Sequence, residues 1–153
     1  MLSARPLDRR RRALVWTSVL IGVLLFFQSS PVLAEAETFE FVVTVLHATP
    51  EGVVGKGAGR YDRLLRRQVR YEGLRVVKTK RATVATRQIG SVPLPDGDTL
   101  RFRPIDPEGP GALVAVDVGS TQGDFRMTKG KPLIFGGSAW KGGRLVVVLE
   151  IAE

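Results

Sequence analysis

The sequence predicts a mainly β protein: an antiparallel β-sandwich of about eight strands with one short α-helix, preceded by a signal peptide. Three observations predict it. Short runs of alternating apolar and polar residues, rich in Val, Thr and Phe, recur between Gly/Pro-rich turns. One stretch alone, around residue 65, has helical spacing. The chain opens on a charged segment, an apolar run and a small-residue stop, ahead of 119 residues that fit one domain.

The opening segment reads as an address. Met1 to Arg12 carries five arginines and one acid, and Ala13 to Phe27 is apolar apart from Thr17, Ser18 and Gly22. Gln28-Ser-Ser-Pro-Val-Leu-Ala34 then places Val32 and Ala34 at the positions a signal peptidase reads. Residues 1–34 are therefore expected to be a signal peptide cut after Ala34, with Ala36 as second choice, and 35–153 a single β-sandwich domain. An uncleaved anchor would need about 20 apolar residues, and this run is shorter. Arg11-Arg12-Ala13-Leu14-Val15 leaves the twin-arginine route open beside the general one. The chain has no cysteine, so no lipid can be added at the cut, and no thiol can mispair in an oxidising compartment. The expected location is the periplasm or outer cell envelope, with membrane contact only through the signal segment if it stays uncleaved.

In the first strand, Glu37 to Leu46, Phe39, Phe41, Val43 and Val45 share one face, with Glu40 and Thr44 on the other, as in a half-buried strand. Thr49 to Arg60 holds Pro50 and glycines 52, 55, 57 and 59 and reads as a loop. Tyr61 to Val69 is the helix: Tyr61, Leu64, Leu65, Gln68 and Val69 share a side, and Asp62 sits in the first turn, where the helix dipole favours an acid. Gly73 breaks it. Leu74 to Thr86, rich in Val, Thr and cations, is one long strand or two in succession.

Ile89 to Leu94 and Thr99 to Arg103 flank Pro95-Asp-Gly-Asp98, a hairpin signal. Pro104 to Gly111, with three prolines and two glycines, reads as a loop. Ala112 to Val118 alternates again. Asp124 to Thr128, Pro132 to Gly136 and Arg144 to Ile151 complete the set, and Leu145-Val-Val-Val-Leu149, apolar on both faces, is expected at the centre of a sheet.

The residue inventory limits the chemistry. Without cysteine there is no disulfide, Cys-ligated zinc, iron–sulfur cluster or thiol nucleophile. His47 is the single histidine, so a site with two imidazoles is excluded. As a catalytic base His47 would need a nucleophile and an orienting carboxylate, and Ser91, Ser120 and Ser138 lie in no nucleophile motif; the plainer expectation is a partly exposed residue at a strand end. Gly55-Lys-Gly-Ala-Gly59 has neither the dinucleotide nor the P-loop spacing and is expected to be a surface loop. Asp96-Gly97-Asp98 is followed directly by Thr99-Leu100 and lacks the further oxygens calcium requires. Asp106, Glu108 and Asp117 would serve as catalytic acids only if the fold brought them into one cleft. No catalytic residue, cofactor or metal site is expected, and the chain is expected not to be an enzyme.

The strongest feature is charge. The whole chain is +8, but residues 35–153 hold 18 Lys+Arg against 14 Asp+Glu, so half of that belongs to the leader. What remains is localised: residues 56–81 hold ten cations and two acids, residues 35–55 four acids and no cation, and 82–153 eight of each. On the predicted helix Arg63, Arg66, Arg67 and Arg70 form one stripe. Such a stripe is either a solvated face or a contact for an anionic partner. Nucleic acid is not expected, since no aromatic ladder interleaves the arginines. Trp140, in Phe135-Gly-Gly-Ser-Ala-Trp140-Lys-Gly-Gly143 between the last two strands, is the second candidate contact; it either anchors a partner or folds back over its own sandwich.

The order Leu64-Leu65-Arg-Arg-Gln-Val-Arg-Tyr71-Glu-Gly-Leu74, Val92-Pro-Leu-Pro-Asp-Gly97, Leu100-Arg-Phe-Arg-Pro104, Pro132-Leu-Ile-Phe-Gly136-Gly137 and Gly143-Arg-Leu-Val-Val-Val148 is similar to that of a small family of exported bacterial proteins with a β-sandwich domain. The resemblance spans most of 38–151 and rests on core leucines, turn glycines and a tyrosine. It implies a fold and a compartment, and no catalytic residues. The expected function is that of a non-enzymatic envelope protein serving as an interaction or assembly subunit, with an envelope protein as partner. The alternative is a binder of anionic lipid or polysaccharide through residues 60–81.

Overall fold

A computed structural model describes residues 36–153. The expected signal peptide, and the cut after Ala34, lie outside the described residues. Among those described, no helix is long and apolar enough to cross a membrane.

Among the described residues, eight strands form two four-stranded antiparallel sheets. β1 (Thr38–Thr49) leads through a helix, α1 (Gly59–Leu65), to β2 (Gly73–Ala85), β3 (Gly90–Pro93), β4 (Thr99–Glu108), β5 (Gly111–Val118), β6 (Thr121–Thr128), β7 (Leu133–Trp140) and β8 (Gly143–Ile151). One sheet runs β2-β1-β8-β7 and the other β3-β4-β5-β6. The described residues are mainly β, with two antiparallel sheets and one short helix, as the sequence predicts for residues 35–153.

Between the sheets lies the main core. Phe39, Phe41, Val43 and Val45 of β1 meet Leu100 and Phe102 of β4 and Val114 and Val116 of β5, with Leu145, Val147 and Leu149 of β8 beside them. The Phe41 and Phe102 rings pack at 4.8 Å between centroids. These are the alternate positions of each strand, as the period of two requires.

A second, smaller core covers the outer face of the β1–β8 pair. The segment 50–72 folds over it, and Ala58, Tyr61, Leu65 and Tyr71 bury against Leu46, Ala48, Leu74, Val146 and Val148. β1 and β8 are thus buried on both faces, which accounts for the unbroken apolar run of β8 in mid-sheet. It also changes the reading of β1: Thr44, expected on a wet face, is 3% exposed beneath α1.

Several boundaries differ from expectation: β1 runs on to Thr49, the helix starts at Gly59 and β6 starts at Thr121, and three further differences have a physical reason. The helix ends at Leu65 rather than Val69; Gln68 and Val69 both return their N–H groups to the Leu65 carbonyl in a turn. Continuing it would stack Arg63, Arg66, Arg67 and Arg70 at like-charge spacings and carry Tyr71 away from the small core. Leu64, expected on the packed side, is 42% exposed. Pro104 to Glu108 belongs to β4 rather than a loop. β3 pairs only with Thr99–Phe102 of β4, so beyond Phe102 that strand is an edge, where residues without N–H are tolerated. Finally, β7 runs to Trp140 instead of stopping at Gly136. The Gly136–Ala139 irregularity is a bulge in the β7–β8 ladder, and a Cβ at Gly137 would collide with the Leu145 carbonyl. Lys141 and Gly142, at φ +44° and +73°, close the hairpin in a two-residue turn.

Candidate functional site

The basic segment predicted to carry function becomes α1, the turn after it and β2. Its charges divide into two groups. The first does structural work. Arg60 pairs with Glu150 of β8 and lies over the Tyr61 ring, 4.5 Å from its centroid. The Tyr61 hydroxyl donates to Glu150 Oε2 at 2.9 Å and lies 3.3 Å from Thr44 Oγ1. Burial, with the Glu150 carboxylate adding to it, holds the Tyr61 phenol above its usual value. Arg66 Nε donates to Asp62 Oδ2 at 3.0 Å, and its guanidinium lies 5.3 Å from the Tyr71 ring centroid. The Tyr71 hydroxyl is shared between Asp62 Oδ1 at 2.9 Å and the Asp62 carbonyl at 3.0 Å. The Arg66 hydrogen bond leads in holding the Asp62 carboxyl below its usual range. Burial, aided by Asp62, pushes the Tyr71 phenol up to about 12. On β2, Arg81 binds Glu40 at 2.8 Å and Lys78 Nζ donates to the Pro93 carbonyl at 3.0 Å.

The second group is left to solvent. Lys56, Arg63, Arg67, Arg70, Arg75 and Lys80 are exposed, and none has an ion-pair partner among the described residues. Of the four predicted stripe residues, only Arg63 stands on the helix proper. Arg66 caps it and is consumed by Asp62; Arg67 lies in the following turn; Arg70 lies past it. The helical stripe is therefore replaced by exposed cations spread over the insert, which covers the outer face of β1 and β8, and over β2 at the edge of that sheet. Arg70 also meets Arg144 of β8 across a groove of about 370 Å³, lined further by Thr49, Pro50, Gln68 and Val69, with no acid. The outer face of the other sheet contrasts with this. There Arg101 lies 3.8 Å from Asp117, and Arg126 pairs with Glu108, so charges cancel across strands.

Trp140 ends β7, half-buried against the main core, rather than riding on an open loop. Its ring meets the His47 ring edge-on at 4.8 Å between centroids, and Lys141 Nζ lies 4.7 Å from its centroid. His47 is 2% exposed, which corrects the expectation of a partly exposed strand end. Its Nε2–H donates to the Trp140 carbonyl at 3.0 Å, while Nδ1 is buried with no described partner. Gly143 leaves room for this packing: a Cβ there would stand 2.7 Å from His47 Nε2 and collide with the Ala48 carbonyl, and no local sequence signal announced the burial of His47.

Asp106, Glu108 and Asp117 do not converge. Glu108 lies opposite Gly111 and Asp117 opposite Arg101, at the two ends of the β4–β5 ladder. Six residues of strand, about 20 Å, separate them. Asp96-Gly97-Asp98 forms the β3–β4 turn: Leu94 N–H donates to the Asp98 carbonyl at 2.8 Å, and Gly97 takes φ +97°. Gly55 N–H bonds to the Leu74 carbonyl at 2.8 Å, and Ala58 within the glycine loop is buried, so that loop anchors the insert. Among the described residues, no three or more of His, Cys, Asp and Glu stand where they could hold a metal ion.

No protein-family model, curated protein or solved structure matches the chain.

Proposed function

We propose that this is an exported, non-catalytic envelope protein that binds an acidic face of a second envelope protein through the insert and β2. One observation carries the reading. Lys56, Arg63, Arg67, Arg70, Arg75 and Lys80 of the insert and β2 are exposed without an ion-pair partner among the described residues, although the chain used Asp62, Glu150 and Glu40 on the neighbouring Arg66, Arg60 and Arg81. Exposed charge of one sign steers encounter with an oppositely charged surface and suppresses like-charged ones. The leader-like start of the sequence and the resemblance to exported β-sandwich proteins support the compartment. Trp140, packed on His47, supports the end of the sandwich next to this flank rather than serving as its main anchor.

A second reading is that the flank meets phosphate or carboxylate groups of an anionic lipid or polysaccharide. The groove shared by Arg70 and Arg144, free of acids, favours it. One experiment separates the two: crosslinking of the tagged protein in its native host, wild type beside Arg63→Glu/Arg67→Glu/Arg70→Glu, followed by mass spectrometry. Recovery of one or two stoichiometric acidic envelope proteins, lost in the triple variant, supports the leading reading. Equal recovery with both removes the basic flank from the account. No protein, together with salt-sensitive sedimentation of the purified protein on anionic vesicles or acidic polysaccharide, supports the second reading.

A further inference from the structure

An open sandwich has four strand edges, and here they are unequal. β3 has four residues and ends on Pro93; β7 is interrupted by its glycine bulge; β6 is eight residues long, and its Phe125 closes against Phe135 of β7 at 5.6 Å between ring centroids. β2 is thirteen residues long and pairs with β1 along one side only. On its other side the chain itself begins a strand and abandons it. Val54 bridges Leu74 in parallel, with Leu74 N–H donating to the Val53 carbonyl at 3.2 Å and Gly55 N–H donating to the Leu74 carbonyl at 2.8 Å. Past that rung, from Val76 to Ala85, no described strand covers the edge.

The side chains of β2 define what such an edge accepts. Residues 73–85 contain Arg75, Lys78, Lys80 and Arg81 and no acid. Lys78 and Lys80 stand opposite Val45 and Val43, on the face turned toward the other sheet, and Arg81 stands opposite Val42 on the outer face. Cations on both faces of an edge block pairing with a like strand, because a second copy would set cation against cation. The same cations favour a strand carrying acids at alternate positions, where opposite charges sit across the ladder. Main-chain hydrogen bonds would supply the attachment and the charges the choice of partner.

We propose that the open edge of β2, residues 76–85, receives an extended acidic segment of a second protein by strand addition. This rests on the protein-partner reading above and assigns its contact to backbone rather than to the arginines of the insert alone. The test places a photo-reactive residue in the full-length protein, in its host, at Thr79, Thr83, Arg67 or Gln122, one at a time. The expected result is crosslinking from positions 79 and 83 to one segment rich in Asp or Glu, at least tenfold weaker from 122. Adding Lys80→Glu, a change at an exposed residue, should cut that yield at least fivefold while far-ultraviolet circular dichroism stays unchanged. Crosslinks from 67 alone, or a segment at 79 and 83 without acids, overturn the edge site and leave the protein-partner reading standing. Crosslinks from none of the four positions overturn both.

Discussion

Leu65→Ala tests whether the insert is held by a second core. Leu65 is fully buried, while Leu64 beside it is 42% exposed. Large-to-small changes at a buried leucine cost about 2–5 kcal/mol. The covering helix has only seven residues and lies on the outside of the sheet, so it can settle partly into the gap. That places Leu65→Ala at the lower end, about 2–3 kcal/mol. Leu64→Ala removes a side chain already near water and should cost about 1 kcal/mol or less. At about 4 °C per kcal/mol for a domain of this size, the Tm losses are about 8–12 °C and under about 4 °C. Urea denaturation followed by circular dichroism gives both values, and hydrogen exchange over 58–72 shows whether the insert opens first. Equal costs, or a larger cost at Leu64, would mean the helix is not docked by the Leu65 side, and the second core would be wrong.

The remaining expectations concern protons, one glycine and the free arginines. In an ultraviolet titration of phenolate, Tyr71 should ionise near 12, and Tyr71→Phe should remove that step. Because the folded value lies above the usual 10.0, this phenol's contribution to stability is complete below pH 10 and is lost as pH rises toward 12. The Asp62 carboxyl lies below its usual 3.8, so its contribution is present above that value and lost as pH falls through the depressed one; acid denaturation of Asp62→Asn should be correspondingly less steep. Gly143→Ala drives a Cβ into the Ala48 carbonyl and His47 Nε2 and should cost at least about 2 kcal/mol in urea denaturation. Single Arg63, Arg67 or Arg70 to Ala changes should stay within about 0.5 kcal/mol of wild type, as exposed residues without ion-pair partners do.

Much of the fold was legible because the period of two survives where one face is wet, along β5 and the first residues of β1, and because an unbroken apolar run marks a strand covered on both faces. β1, β5 and β8 could be placed, and the double-sided apolar run of β8 located the middle of a sheet. What was not legible depended on tertiary cover. Thr44 reads as a surface residue until α1 brings the Tyr61 hydroxyl over it. Pro104 and Pro107 read as loop residues until β3 proves too short to reach that part of β4. The residues after Gly136 read as a loop, whereas they continue β7 and the backbone at Gly137 needs close approach to Leu145. The candidate site was legible as a charge count but not as a geometry. The Asp62–Arg66 pair, four residues apart, was open to sequence spacing, but spacing could not show that Arg60 and Arg81 find acids in other strands while Arg63, Arg67, Arg70, Arg75 and Lys80 find none among the described residues. It could not show the burial of His47 either, since a lone histidine beside Ala48 carries no local sign of the Trp140 that covers it.

We propose that residues 56–85, the insert and β2, form a contact surface for an acidic protein. The most direct test is the hydrogen-exchange footprint of the protein with the partner recovered from its host. Slowed exchange is expected in 59–85, strongest along β2, with the outer face of β4, β5 and β6 unchanged. Protection confined instead to that outer face, around Arg101, Asp117 and Asp124, would contradict it.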